Sequence, residues 1–211
     1  MKALKAAVIS NGIEGLKKYF VSNELAEYEI IEVEKNFNPD LSSYDLLIVP
    51  NGSDHIAMLK IKSQVLEFLN QGKTLFCFDG WFTNWIPGNQ WIMNNELKTI
   101  DVRYTLNQDE NQLFENVDIE QLNFNYKISG WWSCGYIKTN SKSSVLLQDT
   151  WSRAIVVLDE KSTNGTIFLT ASGPLGDSGA IPSNDQENIH ALSQLYYNAL
   201  NYIKNKQATL A

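Results

Sequence analysis

Residues 74–91, TLFCFDGWFTNWIPGNQW, bring a thiol, a carboxylate and three indoles into one stretch. Cys77 invites reading as a nucleophile, but a thiol attacks as thiolate and needs a base or a cationic neighbour to make it. Asp79 follows at the end of the apolar run, beside Gly80. A carboxylate desolvated there would have a raised pKa and could act as acid/base or hydrogen-bond a ligand hydroxyl. The plainer alternative is a carboxylate that caps local backbone N–H groups. His55, next to Asp54, is the candidate partner for Asp79; the plainer alternative is a surface histidine near a helix start. The catalytic pair is therefore expected to be Asp79 and His55.

Other reactive types carry less. Cys134, in GWWSCGY, has no base suggested nearby, and His190 reads as a flank residue of the last helix. Two cysteines and two histidines show no zinc-type spacing, and a set of Asp79, His55 and Asp177 has no supporting pattern. No metal and no cofactor is expected. Six tryptophans remain, Trp81, Trp85 and Trp91 among them. Indole faces stack on sugar rings, anchor interfaces, or simply pack a long loop, and all three readings stay open.

These residues need elements to hold them. Residues 5–10, 28–33, 44–50 and 74–78 read as strands, with helical spacing over 13–22 and 53–72 between them. Ser53 or Asp54 would cap the second helix and Gly72 would end it. Near-continuous apolar runs alternating with helices imply a parallel sheet covered on both faces. Residues 98–106, 126–132, 143–148, 154–159 and 165–172 also read as strands, with little helix between them, so some must pair antiparallel. Residues 162–165 form a tight turn, and a helix over about 185–204 closes the chain, with Ser183 and Gln186 as a capping box. The expected fold class is α/β: a three-layer, flavodoxin-like, mostly parallel sheet with an antiparallel extension, in one domain spanning 1–211.

In such sheets ligands bind beyond the carboxyl ends of the strands. Four turn-forming tips qualify: Asn11-Gly12, Asn51-Gly52-Ser53, Asp79-Gly80-Trp81 and Ser172-Gly173-Pro174. The expected ligand-binding set is Asn11, Asn51, Gly52, Ser53, Gly80, Trp81, Trp85, Ser172 and Gly173.

Bulk properties narrow the partners. The chain has 211 residues, 44% of them hydrophobic, enough for a sizeable core. A net charge of −7 argues against nucleic acid and against an anionic membrane surface. Two cysteines make no disulfide framework. The apolar run after Met1 is too short for a signal peptide, and nothing approaches the ~20 apolar residues of a membrane helix. A cytoplasmic protein is expected.

The stretch YDLLIVPNGSDHIAMLKIKSQVLEFLNQGKTLFCFDG, residues 44–80, resembles the core of the class I glutamine amidotransferase-like superfamily. NQLFENVD (111–118) and NGTIFLTASGP (164–174) resemble segments of its ThuA-like (trehalose-utilisation) branch, and the likeness runs over roughly residues 5–204. The resemblance implies a nucleophile elbow after the fourth strand and an oxyanion-stabilising loop at Asn51-Gly52-Ser53. The departures matter more. The amidotransferase elbow reads Gly-x-Cys-x-Gly, whereas this chain has Phe76-Cys77-Phe78-Asp79-Gly80. Aligned on the glycine, Phe78 takes the elbow; aligned on the branch's L-H-G, Asp79 replaces histidine. Cys77 lies on the same strand face as Asp79 but one pleat back, where a buried thiol is inert. The His-x-Glu that would follow the last strand is replaced by ASGPLGDSG.

The resemblance without its triad implies a non-glutaminase domain that binds a small polar ligand, a carbohydrate being the class in view. Two alternatives stay open: a sugar-directed hydrolase or isomerase using Asp79 as acid/base, and a homo-oligomeric protein using the Trp-rich loop.

Overall fold

The structure, a computed structural model, describes residues 2–78, 80–94, 96, 98–123, 131–140, 142–173, 175 and 191–210. Five strands run parallel: β1 (Leu4–Ser10), β2 (Ala26–Glu32), β3 (Leu46–Val49), β4 (Thr74–Phe78) and, late in the chain, β11 (Thr166–Thr170). Their order is β2-β1-β3-β4-β11. Every residue of β3, β4 and β11 is buried, which is why these segments carry no polar alternation. The edge strand β2 instead exposes Glu27, Glu29 and Glu32, charges that discourage edge-to-edge pairing.

The antiparallel extension is as large as the parallel part. It comprises β5 (Asn89–Met93), β6 (Tyr104–Leu106), β8 (Gly135–Thr139), β9 (Ser144–Asp149) and β10 (Ala154–Asp159). Strand β10 lies antiparallel to β11 and to β9, β9 to β6, and β5 to β8, which in turn adjoins β10. Two short strands, β7 (Trp132–Ser133) and β12 (Ser172–Gly173), form a separate antiparallel pair. The α/β architecture is thus as expected.

Several boundaries differ. Strand β5 falls in a stretch expected to be irregular: Pro87-Gly88 signals a turn, and Asn89-Gln90 are poor strand formers. Strand β8 was likewise not anticipated. Residues 98–106 divide into a 3₁₀ turn (Thr99–Asp101) and β6. The helix expected over 13–22 shrinks to α1 (Leu16–Tyr19), which buries only Leu16. The helix expected over 53–72 is two, α2 (His55–Lys60) and α3 (Lys62–Asn70), parted at the buried Ile61, whose φ/ψ of −97°/15° leaves the helical region. Asp54 caps α2, and Gly72, at φ 82°, follows α3.

Helix α4 (Ala191–Leu210) lays Leu192, Leu195, Tyr196, Ala199, Leu200 and Ile203 on the sheet. Its Tyr196 ring meets Phe76, Phe78 and Phe20 edge-on, at centroid separations of 6.5, 6.1 and 6.4 Å. Such edge contacts add about 0.5–1.5 kcal/mol each beyond area burial. Phe76 and Phe78 therefore face α4, and Cys77, between them, faces the other way. The expected helix start at 185, its capping box at Ser183 and Gln186, and most of the strand expected over 126–132 lie outside the described residues.

Candidate functional site

The carboxyl ends of β3 and β4 open into a cleft of about 250 Å³. Its polar rim is Asn51, Gly52, Ser53 and His55; its other walls are Gly80, Phe82, Trp91, Met93 and Cys134. The sequence-derived site residues divide accordingly. Asn51, Gly52, Ser53, His55 and Gly80 come together. Asn11, Ser172 and Gly173 do not line the cleft, and Asp79 lies outside the described residues. Ile13, which follows the tip after β1, sets its Cδ1 against Gly52. Ser172 and Gly173 are bound into the β7–β12 pair.

Trp81 and Trp85 require correction. Both are fully buried, at 1% and 0% exposure, so neither can stack on a ligand or meet another chain. The Trp-rich segment folds inward because its indoles are its anchors. The Trp85 indole N–H donates to Nδ1 of His55 at 3.2 Å, and the two rings stack at 6.1 Å. The Thr83 hydroxyl donates to the His55 carbonyl at 2.7 Å, and Lys62 Nζ donates to the Asn84 carbonyl at 2.8 Å. Residues 83–85 are thereby tied to α2 and α3.

This use of His55 decides its chemistry. Nδ1 accepts the indole proton, so the neutral ring carries its own proton on Nε2. Burial drives the pKa down to about 4, against the Asp54 carboxylate and a hydrogen bond with the Gly80 backbone, which both act to raise it. His55 is a neutral positioning residue at pH 7, its ring engaged by both Trp85 and the Gly80 backbone. The loop expected to stabilise an oxyanion is also largely engaged. The Asp54 carboxylate accepts the Ile56 and Ala57 N–H groups at 2.9 Å each, and the Ser53 hydroxyl donates to the Pro50 carbonyl at 2.7 Å. Ser53 Oγ remains able to accept, and the Asn51 side chain makes no hydrogen bond among the described residues.

The residue that shapes the cleft is Trp91. Its indole lies directly on the β4 tip: a Cβ added to Gly80 would come within 2.7 Å of the ring, and one on Gly135 within 2.6 Å. Two glycines thus give the indole its slot, and its N–H donates to the Ala171 carbonyl beyond β11 at 3.3 Å. Phe82 stands edge-on to it at 5.1 Å and is 69% exposed. Sequence reasoning missed Phe82, Met93 and Cys134 and left Trp91 among the loop aromatics. The available signal was the pair Gly80 and Gly135, which mark close approach only once β5 is placed beside β8.

Cys77 is completely buried and paired in register with Val49 and Leu169, as the alternation argument required. Cys134 is half-buried on the cleft wall. Among the described residues no cluster of three or more His, Cys, Asp or Glu could hold a metal ion, and no helix is long and apolar enough to cross a membrane.

The sequence matches no protein-family model and no curated protein. Solved structures do superpose on it. A glutamine amidotransferase of Thermotoga maritima matches with a TM-score of 0.56 and 7% identity over 99% of this chain and 86% of its own. The fold is glutamine amidotransferase-like. A cytoplasmic protein of Salmonella typhimurium LT2 gives a TM-score of 0.61 at 10% identity, covering 95% of this chain and 99% of that one. A β-galactosidase of Bacillus circulans sp. alkalophilus gives 0.55 at 15% identity, with 97% of this chain matched to 31% of that chain. At these identities the likeness is one of fold. Within the amidotransferase-like fold, the β4 tip of this chain is occupied by an indole, with the strand's only thiol buried behind it.

Proposed function

We propose that this chain is a non-glutaminase member of the amidotransferase-like superfamily, of the ThuA-like branch, and that it binds a small polar ligand of the carbohydrate class in the cleft beyond β3 and β4. The observation that carries this reading is the meeting of an uncommitted amide and a hydroxyl acceptor (Asn51 and Ser53) with the exposed ring of Phe82 in one small cleft. A sugar ring offers hydroxyls on its rim and C–H groups on its face, and this wall offers a partner for each. The cleft suits one such ring better than a chain of them. His55 is neutral and its ring is engaged by Trp85 and the Gly80 backbone, so the reading favours binding over hydrolysis or isomerisation.

Titration calorimetry with glucose, galactose, mannose and their 2-acetamido derivatives tests this. At least one should bind with a Kd in the millimolar range or tighter, and Phe82→Ala should weaken it tenfold or more. Absence of heat with every sugar, or binding indifferent to Phe82→Ala, would remove the proposal.

A further inference from the structure

A second, larger groove lies between residues 111–116 and the outer face of α4, with a volume of about 450 Å³. It is within the range of roughly 300–1,000 Å³ typical of small-ligand sites. Its chemistry differs from that of the carboxyl-edge cleft. Amides dominate it, two phenol rings (Tyr197 and Tyr202) flank them, and Glu115 is the one charged residue on its walls.

The amides fall into two groups. Asn198 is committed to construction: its Nδ2 donates to the carbonyls of Leu113 at 3.0 Å and Glu115 at 2.7 Å, and its Oδ1 accepts from Gln194 at 2.8 Å. That fastens the 111–116 segment to α4 and fixes the width of the groove. The Asp109 carboxylate holds the other side of the segment, accepting the Leu113 and Phe114 N–H groups at 2.7 and 2.8 Å. Tyr202 is likewise set, its hydroxyl donating to Glu160 Oε1 at 2.8 Å. The side chains of Asn111, Gln112, Asn116 and Asn201 make no hydrogen bond among the described residues, yet all face this groove.

None of that second group fastens the segment to α4. A solvated helix face is best filled by lysine, glutamate or alanine; asparagine is among the weaker helix formers. Gln112 and Asn116 both adopt left-handed backbone, at φ 56° and 57°, a region asparagine tolerates and glutamine seldom enters. Gln112 and Asn201 thus sit against local preference where their amides line one groove. Each amide offers donors and an acceptor together, the pattern that pairs with hydroxyl groups. The near absence of charge selects a neutral ligand, and a net charge of −7 disfavours an anionic one.

We infer that this groove is a second binding site, separate from the carboxyl-edge cleft, for a neutral oligosaccharide of more than one ring. The free amides meet its hydroxyls, and Tyr197 and Tyr202 meet its ring faces.

The test is titration of the full chain with neutral trisaccharides of glucose, mannose and galactose, followed by calorimetry and amide-resolved NMR. One of them should shift signals of residues 111–116 and 194–205. The double variant Asn116→Gly/Asn201→Ala should bind it at least tenfold more weakly while its thermal midpoint holds or rises. Phe82→Ala, which alters the other cleft, should leave this affinity unchanged. Binding lost in Phe82→Ala and retained in the double variant would place the sugar in the cleft and overturn the inference. So would the absence of any shift in the groove, or tighter binding of a sulfated trisaccharide than of its neutral parent. Failure of the cleft reading would show in monosaccharide binding and would leave this result standing.

Discussion

The carboxyl-edge cleft and the α4 groove use their polar groups in opposite ways. At the cleft, Asp54, His55 and the Ser53 proton are turned inward, onto α2, Trp85 and Pro50. What remains for a ligand is an amide, a hydroxyl acceptor and an aromatic wall. At the groove, Asn198, Asp109 and Tyr202 do the structural work, and Asn111, Gln112, Asn116 and Asn201 keep their hydrogen-bonding capacity among the described residues. The difference teaches that residues at a familiar site position can be consumed by the fold, while residues on an unremarkable helix face stay available.

The contrast can be broken by mutation. Trp85→Ala should be the most damaging change, costing about 3–5 kcal/mol of unfolding free energy in urea, the usual range for a buried large aromatic. It empties a core position and leaves His55 Nδ1 without its donor. A loss under 1 kcal/mol would mean that the loop does not depend on its indole.

The His55 linkage comes next. Its folded pKa, about 4, lies below the unfolded value of 6.5. The unfolded chain therefore binds the extra proton first, and the stability tied to the neutral ring is present above 6.5 and lost as pH falls towards 4. The loss should be on the order of 2–3 kcal/mol across that window. His55→Gln should flatten this part of the urea pH profile; equal slopes in both proteins would contradict the buried, neutral ring.

Phe82→Ala sharpens the comparison from the other side. An exposed ring contributes little to stability, so the change should stay within about 0.5–1 kcal/mol while cleft binding drops. The smallest effect, and the most discriminating in sign, is Asn201→Ala. Alanine's better helix propensity should stabilise the chain by about 0.5 kcal/mol as groove affinity falls. Destabilisation of 1 kcal/mol or more would show that Asn201 serves the fold after all.

The parallel core was legible because its strands are buried on both faces and written as unbroken apolar runs: LLIV, TLFCF and TIFLT announce themselves. The tips followed from Gly and Asn punctuation, and the cleft does gather residues 51–55 and 80. Strand β5 was hidden because its strand character depends on partners far along the chain, through Asn89↔Thr139 and Trp91↔Ile137. With β5 unplaced, Trp91 could not be set on Gly80, and the tryptophans that precede it looked available when they are the core of their own loop. The amide groove was invisible for a related reason. Asn111 and Asn116 are ordinary loop residues, Asn198 and Asn201 ordinary helix-surface ones, until Asn198 fastens the two segments together.

The central claim is that the β4 tip of this amidotransferase-like fold binds through the wall made by Trp91 and Phe82, with Trp85 committed to the fold. The most direct measurement follows the indole N–H signals of all six tryptophans by two-dimensional NMR while neutral monosaccharides are added. The account predicts a saturable shift at Trp91, with Trp81 and Trp85 unmoved. A titration that leaves Trp91 in place, or that moves Trp85 instead, would contradict it.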